Sequence, residues 1–253
     1  MTFVGLLELF GVGFFASIFG AIVGLGGGFV VIPVLRLLYG VTPSVAAGTS
    51  LLFVTANVLT SSIGYLRQKR VDLALALPLI IGGLPGSILG VGLVHQVSTR
   101  WFDVGYGCIL LTLAVSLIRR RTQASRAPGE RTFAHRWPVA LGAGLLLGVL
   151  SSVFGIGGGI VLVPLLLIAA RMAPHTVSAT TGFVVLCTAP IGVAAHAYSG
   201  DVSWNAAVPL VAGGLTGGSL APSIAKRLSS PRLVVMLIVA LLAACASLVI
   251  KHF

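Results

Sequence analysis

The sequence GLGGGFVVIP at residues 24–33 returns as GIGGGIVLVP at residues 155–164. Each copy places three consecutive glycines shortly ahead of a proline, in a stretch that has no charged residue. Glycine adopts backbone conformations that interrupt a helix, and proline fixes its own φ and cannot continue a helical hydrogen-bond ladder. The two segments therefore predict a pair of broken helices, built in the same way at two places in the chain.

The match extends well beyond the two glycine segments. Residue 24 pairs with residue 155, and this offset of 131 positions aligns the two halves without a gap from about residue 24 to residue 98. The coincident residues are mainly those that fix backbone geometry: Pro33 with Pro164, Pro43 with Pro174, Thr49 with Thr180, Pro78 with Pro209, and Gly82, Gly83 and Gly86 with Gly213, Gly214 and Gly217. We predict a first repeat at 1–118, a basic linker with six arginines at 119–136, and a second repeat at 137–253.

The composition excludes a water-soluble globule. Of the 253 residues, 57% are hydrophobic and only 8% are charged, whereas soluble domains have about 25% charged residues. Stretches such as 37–66 and 172–200 have no Asp, Glu, Lys or Arg, and about 20 apolar residues are enough to cross a bilayer. The sequence predicts an all-α polytopic protein of the bacterial plasma (inner) membrane, with the lipid bilayer as its surroundings.

The basic residues and the cysteines do not indicate a nucleic acid, a disulfide framework or a metal site. The net charge of +11 arises in the short gaps between apolar stretches, which is typical of cytoplasmic loops and does not indicate a nucleic acid partner. The three cysteines show no CxxC spacing, so neither a disulfide framework nor a metal site is predicted. We predict no cofactor.

Each half contains a first apolar run, the glycine break, a short apolar piece and three longer helices. The short pieces, at about 28–39 and 159–170, reach only about 18 Å and cannot cross the membrane alone. The longer helices are predicted at 44–66, 73–94, 102–118, 175–198, 204–225 and 232–250. Four crossings per half would make the repeats parallel, and five would make them inverted.

Positive charge distinguishes the two topologies, because Lys and Arg concentrate on the cytoplasmic side. Inverted repeats place 13 of the 16 basic residues inside, and parallel repeats place 10 there. We therefore predict two repeats of about 4–5 transmembrane helices each, inverted, with the N-terminus outside and the central loop cytoplasmic.

The glycine breaks are the first candidate for the binding of a ligand. Non-helical backbone is tolerated at membrane depth where it is buried in protein or lines a cavity, and a helix start presents free N–H groups that attract anions. Broken helices in matched positions are also typical of a transporter's binding site. The alternative is that the glycines only allow close helix packing. The predicted site residues are Gly26, Gly27, Gly28, Gly157, Gly158 and Gly159.

A polar stripe follows each break. Ser50, Asn57, Ser61 and Tyr65 lie on one helical face. Their counterparts in the second half, with Thr49 and Thr180 alongside, are Thr181, Thr188, Gly192 and His196. Hydroxyl and amide groups donate hydrogen bonds to an oxyanion without adding charge, although the same groups also join helices to each other. Thr49, Ser50, Asn57, Thr180, Thr181 and Thr188 are predicted to line a substrate path.

The titratable residues narrow the chemistry. The five acidic residues lie near predicted helix ends or loops, whereas metal-cation pathways place carboxylates inside the membrane. His196 is a candidate proton carrier, with an interface role as the alternative. An intramembrane serine hydrolase would need Ser219 and His196 together; we expect no catalytic residue and no enzyme.

The duplicated Gly-x-Gly-Gly-Gly-x4-Pro signature, in a membrane protein of about 250 residues with a basic central loop, resembles the sulfite exporter TauE/SafE family, also called the 4-toluene sulfonate uptake permeases. The resemblance implies a secondary transporter that moves a small sulfur-containing oxyanion, either sulfite or an organosulfonate such as sulfoacetate, by alternating access. Because no Lys or Arg lies at mid-membrane, charge compensation would fall either on backbone dipoles or on a co-transported proton or cation. A passive anion channel is the alternative.

Overall fold

The computed structural model describes residues 3–23, 26–67, 71–123, 137–159, 162, 166 and 174–227, and all regular structure in these ranges is helical. The helices are α1 (Phe3–Val23), α2 (Gly28–Leu37), α3 (Pro43–Arg67), α4 (Leu73–Val94), α5 (Thr99–Gln123), α6 (Trp137–Phe154), α7 (Pro174–Tyr198) and α8 (Trp204–Arg227). Five of them are long and apolar enough to cross a membrane: α1, α3, α4, α6 and α7. The predicted class, an all-α polytopic membrane protein, is confirmed.

The helix bounds follow the sequence signals closely. Helices α3 and α7 each begin at a proline, which suits the first helical position because its missing N–H has no intrahelical partner there. Asp72 caps α4 by accepting a hydrogen bond from the backbone N–H of Leu75 at 3.3 Å. The starts of α3 and α4 lie 131 positions before the starts of their counterparts, α7 and α8.

Helix α5 is longer than predicted, because it begins at Thr99 and ends at Gln123, so the predicted start of the linker at 119 falls in its last turns. The predicted helix at 232–250 and most of the short piece at 159–170 lie outside the described residues.

Glycines bring two pairs of helices into close contact. Successive glycines of α4 lie against successive backbone carbonyls of α6, and α8 packs in the same way against α1. The matched contacts are Gly82 with Leu141, Gly86 with Leu145, Gly213 with Phe10, and Gly217 with Phe14. Residue numbers rise together in both pairs, so the helices of each pair are parallel. Such small-residue faces are a common way of packing helices in membranes.

Helices α3 and α7 cross at the centre in the opposite sense. Gly48 lies against His196, Leu51 against Gly192, and Ser62 against Gly182. Residue numbers rise in one helix as they fall in the other, so α3 and α7 are antiparallel. Their sequences are related by the 131-residue offset, and the two related helices therefore run in opposite directions.

Helix α2 returns the chain to the side where α1 begins. Gly27 packs on the backbone of Ala16 near the end of α1, while Tyr39, just after α2, donates a hydrogen bond to the carbonyl of Gly5 at 3.4 Å. With 10 residues, α2 is about 15 Å long. Because of this return, α1 and α3 run in the same direction, and both are parallel to α8. For α3 this follows from its contacts, since Thr49 meets Ser203 and Asn57 meets Gly218.

The bundle has two ends, which we call the α3 end and the α7 end after the helix that begins there. At the α3 end, the N–H of Ser203 donates to Thr49 Oγ1 at 3.0 Å. At the α7 end, the N–H of Asp72 donates to Thr180 Oγ1, also at 3.0 Å. The two contacts are related by the same offset and tie the start of one helix to the loop before another.

A buried ion pair strengthens the α3 end. Arg36 of α2 donates to both carboxylate oxygens of Asp103 in α5, with its Nε at 3.0 Å and Nη2 at 2.6 Å, and its Nη1 donates to the carbonyl of Val41. Both side chains are buried. A bidentate pair with a further acceptor satisfies most of the guanidinium donors, which is the condition under which a buried pair is tolerated.

Candidate functional site: the paired glycine breaks

The two glycine breaks meet at the centre of the molecule. Gly26 and Gly27 have φ values of 76° and 81°, and Gly157 and Gly158 have values of 78° and 68°, which lie in the left-handed region that favours glycine. A Cβ built on Gly28 would lie 2.7 Å from the carbonyl oxygen of Gly155. The first break is therefore present with the short helix α2 after it, the second break has the same left-handed backbone, and the two irregular segments are in contact.

The breaks lie beside the midpoints of the two central helices. Both Gly26 and Gly157 pack on Val54, near the middle of α3, and Gly157 also faces Val185, near the middle of α7. All three sequence-predicted glycines of each copy are buried. The breaks thus lie at the depth where a membrane-spanning helix is farthest from water.

A polar network fixes the first break. Asn57 Nδ2 donates to the carbonyl of Gly26 at 2.9 Å. The hydroxyl of Ser17 lies 2.6 Å from Asn57 Oδ1 and 2.7 Å from the carbonyl oxygen of Gly214. These bonds matter because an unpaired backbone carbonyl away from water is costly.

Ser50 connects the two breaks. Its hydroxyl donates to the carbonyl of Gly155 at 2.8 Å and lies 3.4 Å from the carbonyl of Gly28. The phenol of Tyr106 approaches the carbonyl of Gly28 at the same distance. The sequence prediction that Ser50 and Asn57 belong beside the breaks agrees with this geometry.

Their counterparts in the second half behave differently. Thr188, the counterpart of Asn57, donates to the carbonyl of Val184 in its own helix at 3.0 Å. Thr181, the counterpart of Ser50, is 0% exposed, and its hydroxyl has no hydrogen-bond partner. Ser62 is also buried without a partner for its hydroxyl, and it faces Gly182, next to Thr181. The α3–α7 interface therefore contains two buried hydroxyls that have no hydrogen-bond partner.

Other predicted site residues lie elsewhere. Thr49 and Thr180 accept backbone hydrogen bonds at the two ends of the bundle, so the structure does not bring their hydroxyls to the breaks. His196 lies at the α3 end, where it contacts Asp201 and the carbonyl of Ser152. The side chains of Ser61 and Tyr65 lie outside the described residues.

The residues proposed for hydrolysis are not assembled. Ser219 Oγ donates to the carbonyl of Thr216 in its own helix, on an exposed face of α8. Both ring nitrogens of His196 contact other groups. In the described part of the chain, no group of His, Cys, Asp and Glu is arranged to hold a metal ion.

Sequence reasoning missed two features of this region. Ser17 is a single hydroxyl in an apolar helix, and only its place one turn from Gly13 and Gly20 hinted that it faces a neighbouring helix. The contact of Asp201 with His196, five positions earlier, and with His95, more than 100 positions earlier, was also missed.

Helices that break in matched positions and meet at mid-depth define a multi-pass membrane transporter. The model of the family described as sulfite exporter TauE/SafE matches residues 9–248, and the chain belongs to this family. It is 32% identical to "Probable membrane transporter protein YunE" of Bacillus subtilis, with 97% of each chain covered. It is 28% identical to a "Probable membrane transporter protein" of Xylella fastidiosa, over 92% of this chain and 89% of the relative. No solved structure gives a significant match.

The glycine breaks make a direct prediction for stability. In Gly27→Ala, the alanine would have to adopt a positive φ, and its Cβ would also overlap the backbone carbonyl of Ala16. Gly40 is the matched control, because it also has a positive φ but has open space around the position of a Cβ. We expect Gly40→Ala to cost about 1–2 kcal/mol from the left-handed backbone, and Gly27→Ala about 1–3 kcal/mol more from overpacking.

Melting temperatures of the two variants in detergent provide the measurement. Equal melting temperatures for Gly27→Ala and Gly40→Ala would show that the break is not packed against α1 as described.

Proposed function

We propose that this protein is a secondary transporter that binds a small sulfur-containing oxyanion, sulfite or an organosulfonate such as sulfoacetate, between its two glycine breaks. One observation supports the proposal above the others: the breaks touch at mid-depth, and the unpartnered hydroxyl of Thr181 is buried in the adjoining interface. Buried polar groups are almost always hydrogen-bonded. The free hydroxyl of Thr181, one turn before the residue Val185 that faces Gly157, is therefore a place for a ligand acceptor.

The chemistry of the region suits an anion with several oxygen acceptors. Helix α2 begins at Gly28 and directs its first backbone N–H groups and the positive end of its dipole toward the break. Thr181 and Ser62 supply two more donors. The described side chains that line the breaks carry no charge, so these dipoles would balance most of the charge of the anion. A co-transported proton or cation would balance the rest.

The helix directions favour inverted repeats. The antiparallel crossing of α3 with α7 is expected when two related units are turned over with respect to each other, whereas parallel repeats would run these helices in the same direction. Helix α3 ends at Arg67 at the α7 end, and in the sequence Lys69 and Arg70 follow α3 while most of the linker follows α5. By the positive-inside rule, the α7 end is cytoplasmic and the N-terminus is outside.

The two end contacts suggest how access alternates. The Ser203–Thr49 bond closes the α3 end and the Asp72–Thr180 bond closes the α7 end. Movement of the α1–α8 pair and of the α4–α6 pair relative to the central helices α3 and α7 would open one contact while the other stays formed. The anion at the breaks would then face one side of the membrane at a time, as alternating access requires.

Uptake by proteoliposomes tests the function directly. The panel is sulfite, sulfoacetate, taurine, sulfate and chloride, each measured with and without an imposed pH gradient. We expect saturable uptake of a sulfur oxyanion. Flux of every small anion alike, without saturation, would instead indicate a passive channel, and no flux in a folded protein would overturn the transporter proposal.

The unpartnered hydroxyl of Thr181 predicts that its loss weakens transport without lowering stability. In Thr181→Val, loss of a hydrogen bond to a charged substrate, worth about 1.5–3 kcal/mol, should raise KM about tenfold or more. The melting temperature should not fall, because the lost hydroxyl has no partner in the protein. The control is Thr55→Val, since Thr55 donates to the carbonyl of Leu51 in its own helix. A KM for Thr181→Val equal to that of Thr55→Val would remove Thr181 from the site.

The orientation is tested with thiol labelling, in a chain whose three native cysteines are replaced by alanine. Ser199, at the α3 end, is exposed, and Ser125 lies in the basic linker. We expect an impermeant thiol reagent to label Ser199→Cys in intact cells and Ser125→Cys only after the membrane is opened. Labelling of Ser125→Cys in intact cells would reverse the proposed orientation.

A further inference from the structure

Three titratable side chains from separate segments converge at the α3 end. The carboxylate oxygen Oδ2 of Asp201, in the loop between α7 and α8, lies 3.1 Å from Nδ1 of His196 and 3.0 Å from Nε2 of His95. His196 is fully buried, whereas the side chain of His95, just after α4, is 44% exposed. The cluster therefore connects a buried imidazole to the surface through one carboxylate.

The second nitrogen of His196 determines how the protons are arranged. Nε2 lies 3.0 Å from the backbone carbonyl of Ser152. A carbonyl only accepts hydrogen bonds, so Nε2 carries the hydrogen. Nδ1 and the Asp201 oxygen would then repel each other through their lone pairs unless another proton lies between them. The contact is formed either by an imidazolium and a carboxylate or by a neutral imidazole and a carboxylic acid, and in both cases the pair holds one additional proton.

No other titratable group in the described part of the chain contacts this pair. Helix α3 contributes Gly48, which lies against the backbone of Asp201 and the His196 ring, and the charged residue of α3, Arg67, lies at its opposite end. Helix α6 has no titratable side chain. Helix α8 carries Lys226 and Arg227 only at its far end, and Asp103 of α5 is engaged by Arg36.

The cluster exists at one end of the molecule alone. The offset of 131 positions relates His95 to Lys226, His196 to Tyr65 and Asp201 to Arg70. The other copy of the repeat therefore cannot form the same group. A packing device common to both repeats would not show this difference.

We propose that His196 and Asp201 form a proton-binding site, which exchanges with solvent through His95, and that transport is coupled to the proton bound there. The coupling rests on the transport function proposed above, whereas the proton site itself does not. One proton enters at His95, passes to the shared Asp201 oxygen and comes to rest between Oδ2 and Nδ1. When it leaves by the same route, a lone pair on Nδ1 faces a carboxylate.

Proton loss has a structural consequence at the α3 end. The contact between α7 and its following loop weakens when the proton leaves, because two acceptors then face each other. Two residues further on, the same loop donates the Ser203 N–H to Thr49 of α3. The protonation state of the pair therefore acts on one of the two contacts that open and close the transport path.

Asp201→Asn tests the coupling in proteoliposomes. The asparagine amide donates to Nδ1 without a titratable proton. We expect the variant to retain counterflow of labelled sulfite or sulfoacetate and to lose the stimulation by a pH gradient that the wild type shows. Asp72→Asn is the matched control, because it replaces a loop carboxylate at the other end and asparagine still caps α4. Gradient stimulation of Asp201→Asn equal to that of Asp72→Asn, or its absence in the wild type, would overturn the coupling.

A second measurement tests the proton site without any substrate. In protein labelled with 15N-histidine, the His196 signals are identified by their loss in His196→Gln. We expect them to change with pH in the wild type and to stay constant in Asp201→Asn. Constant wild-type signals would overturn the proton site. If the wild type carries no anion of the panel but the His196 signals shift, the transport proposal fails and the proton site stands.

Discussion

The structure depends on one constraint: backbone N–H and C=O groups released by a broken helix must find partners inside the protein, because the hydrocarbon around it offers none. Two helices break at mid-depth, and each break frees several such groups. Short side chains from a neighbouring helix supply the hydrogen bonds. Asn57 donates to the carbonyl of Gly26, and Ser50 donates to that of Gly155. Because both donors come from α3, this helix must lie beside the breaks for their backbone carbonyls to be hydrogen-bonded.

The same constraint explains why the repeats are alike in backbone but different in side chains. The glycines at 26, 27, 157 and 158 all adopt a positive φ, so the backbone problem is the same in both copies. The side chains that bond to the irregular backbone differ between the two copies. Asn57 bonds to a break, whereas its counterpart Thr188 bonds to its own helix. A repeated backbone arrangement thus carries polar side chains that bond differently in the two copies.

Much of the fold was readable from the sequence, because glycine and proline act through local backbone geometry. The starts of α3, α4 and α7 were predicted to within a residue or two from Pro43, Pro174 and the apolar run after Asp72. The candidate site was only partly readable. Thr49 and Ser50 are neighbours in sequence, yet one bonds to a loop and the other to a glycine break. Helical periodicity places both near one face, but it does not say which partner helix each hydroxyl meets. The cluster of His95, His196 and Asp201 depends on tertiary packing and has no local signature.

The pairing of α1 with α8 has a consequence for biosynthesis. Ser17 and its partner Gly214 are 197 residues apart, and chains are made at about 5–20 residues per second. For roughly 10–40 s, α1 has been made but its glycine-lined face is uncovered, since the helix that covers it has not yet been made. The α4–α6 pair, separated by α5 and the linker, is complete much earlier. The two helices of the α4–α6 contact are therefore made before α8, so this contact can form before α1 meets α8.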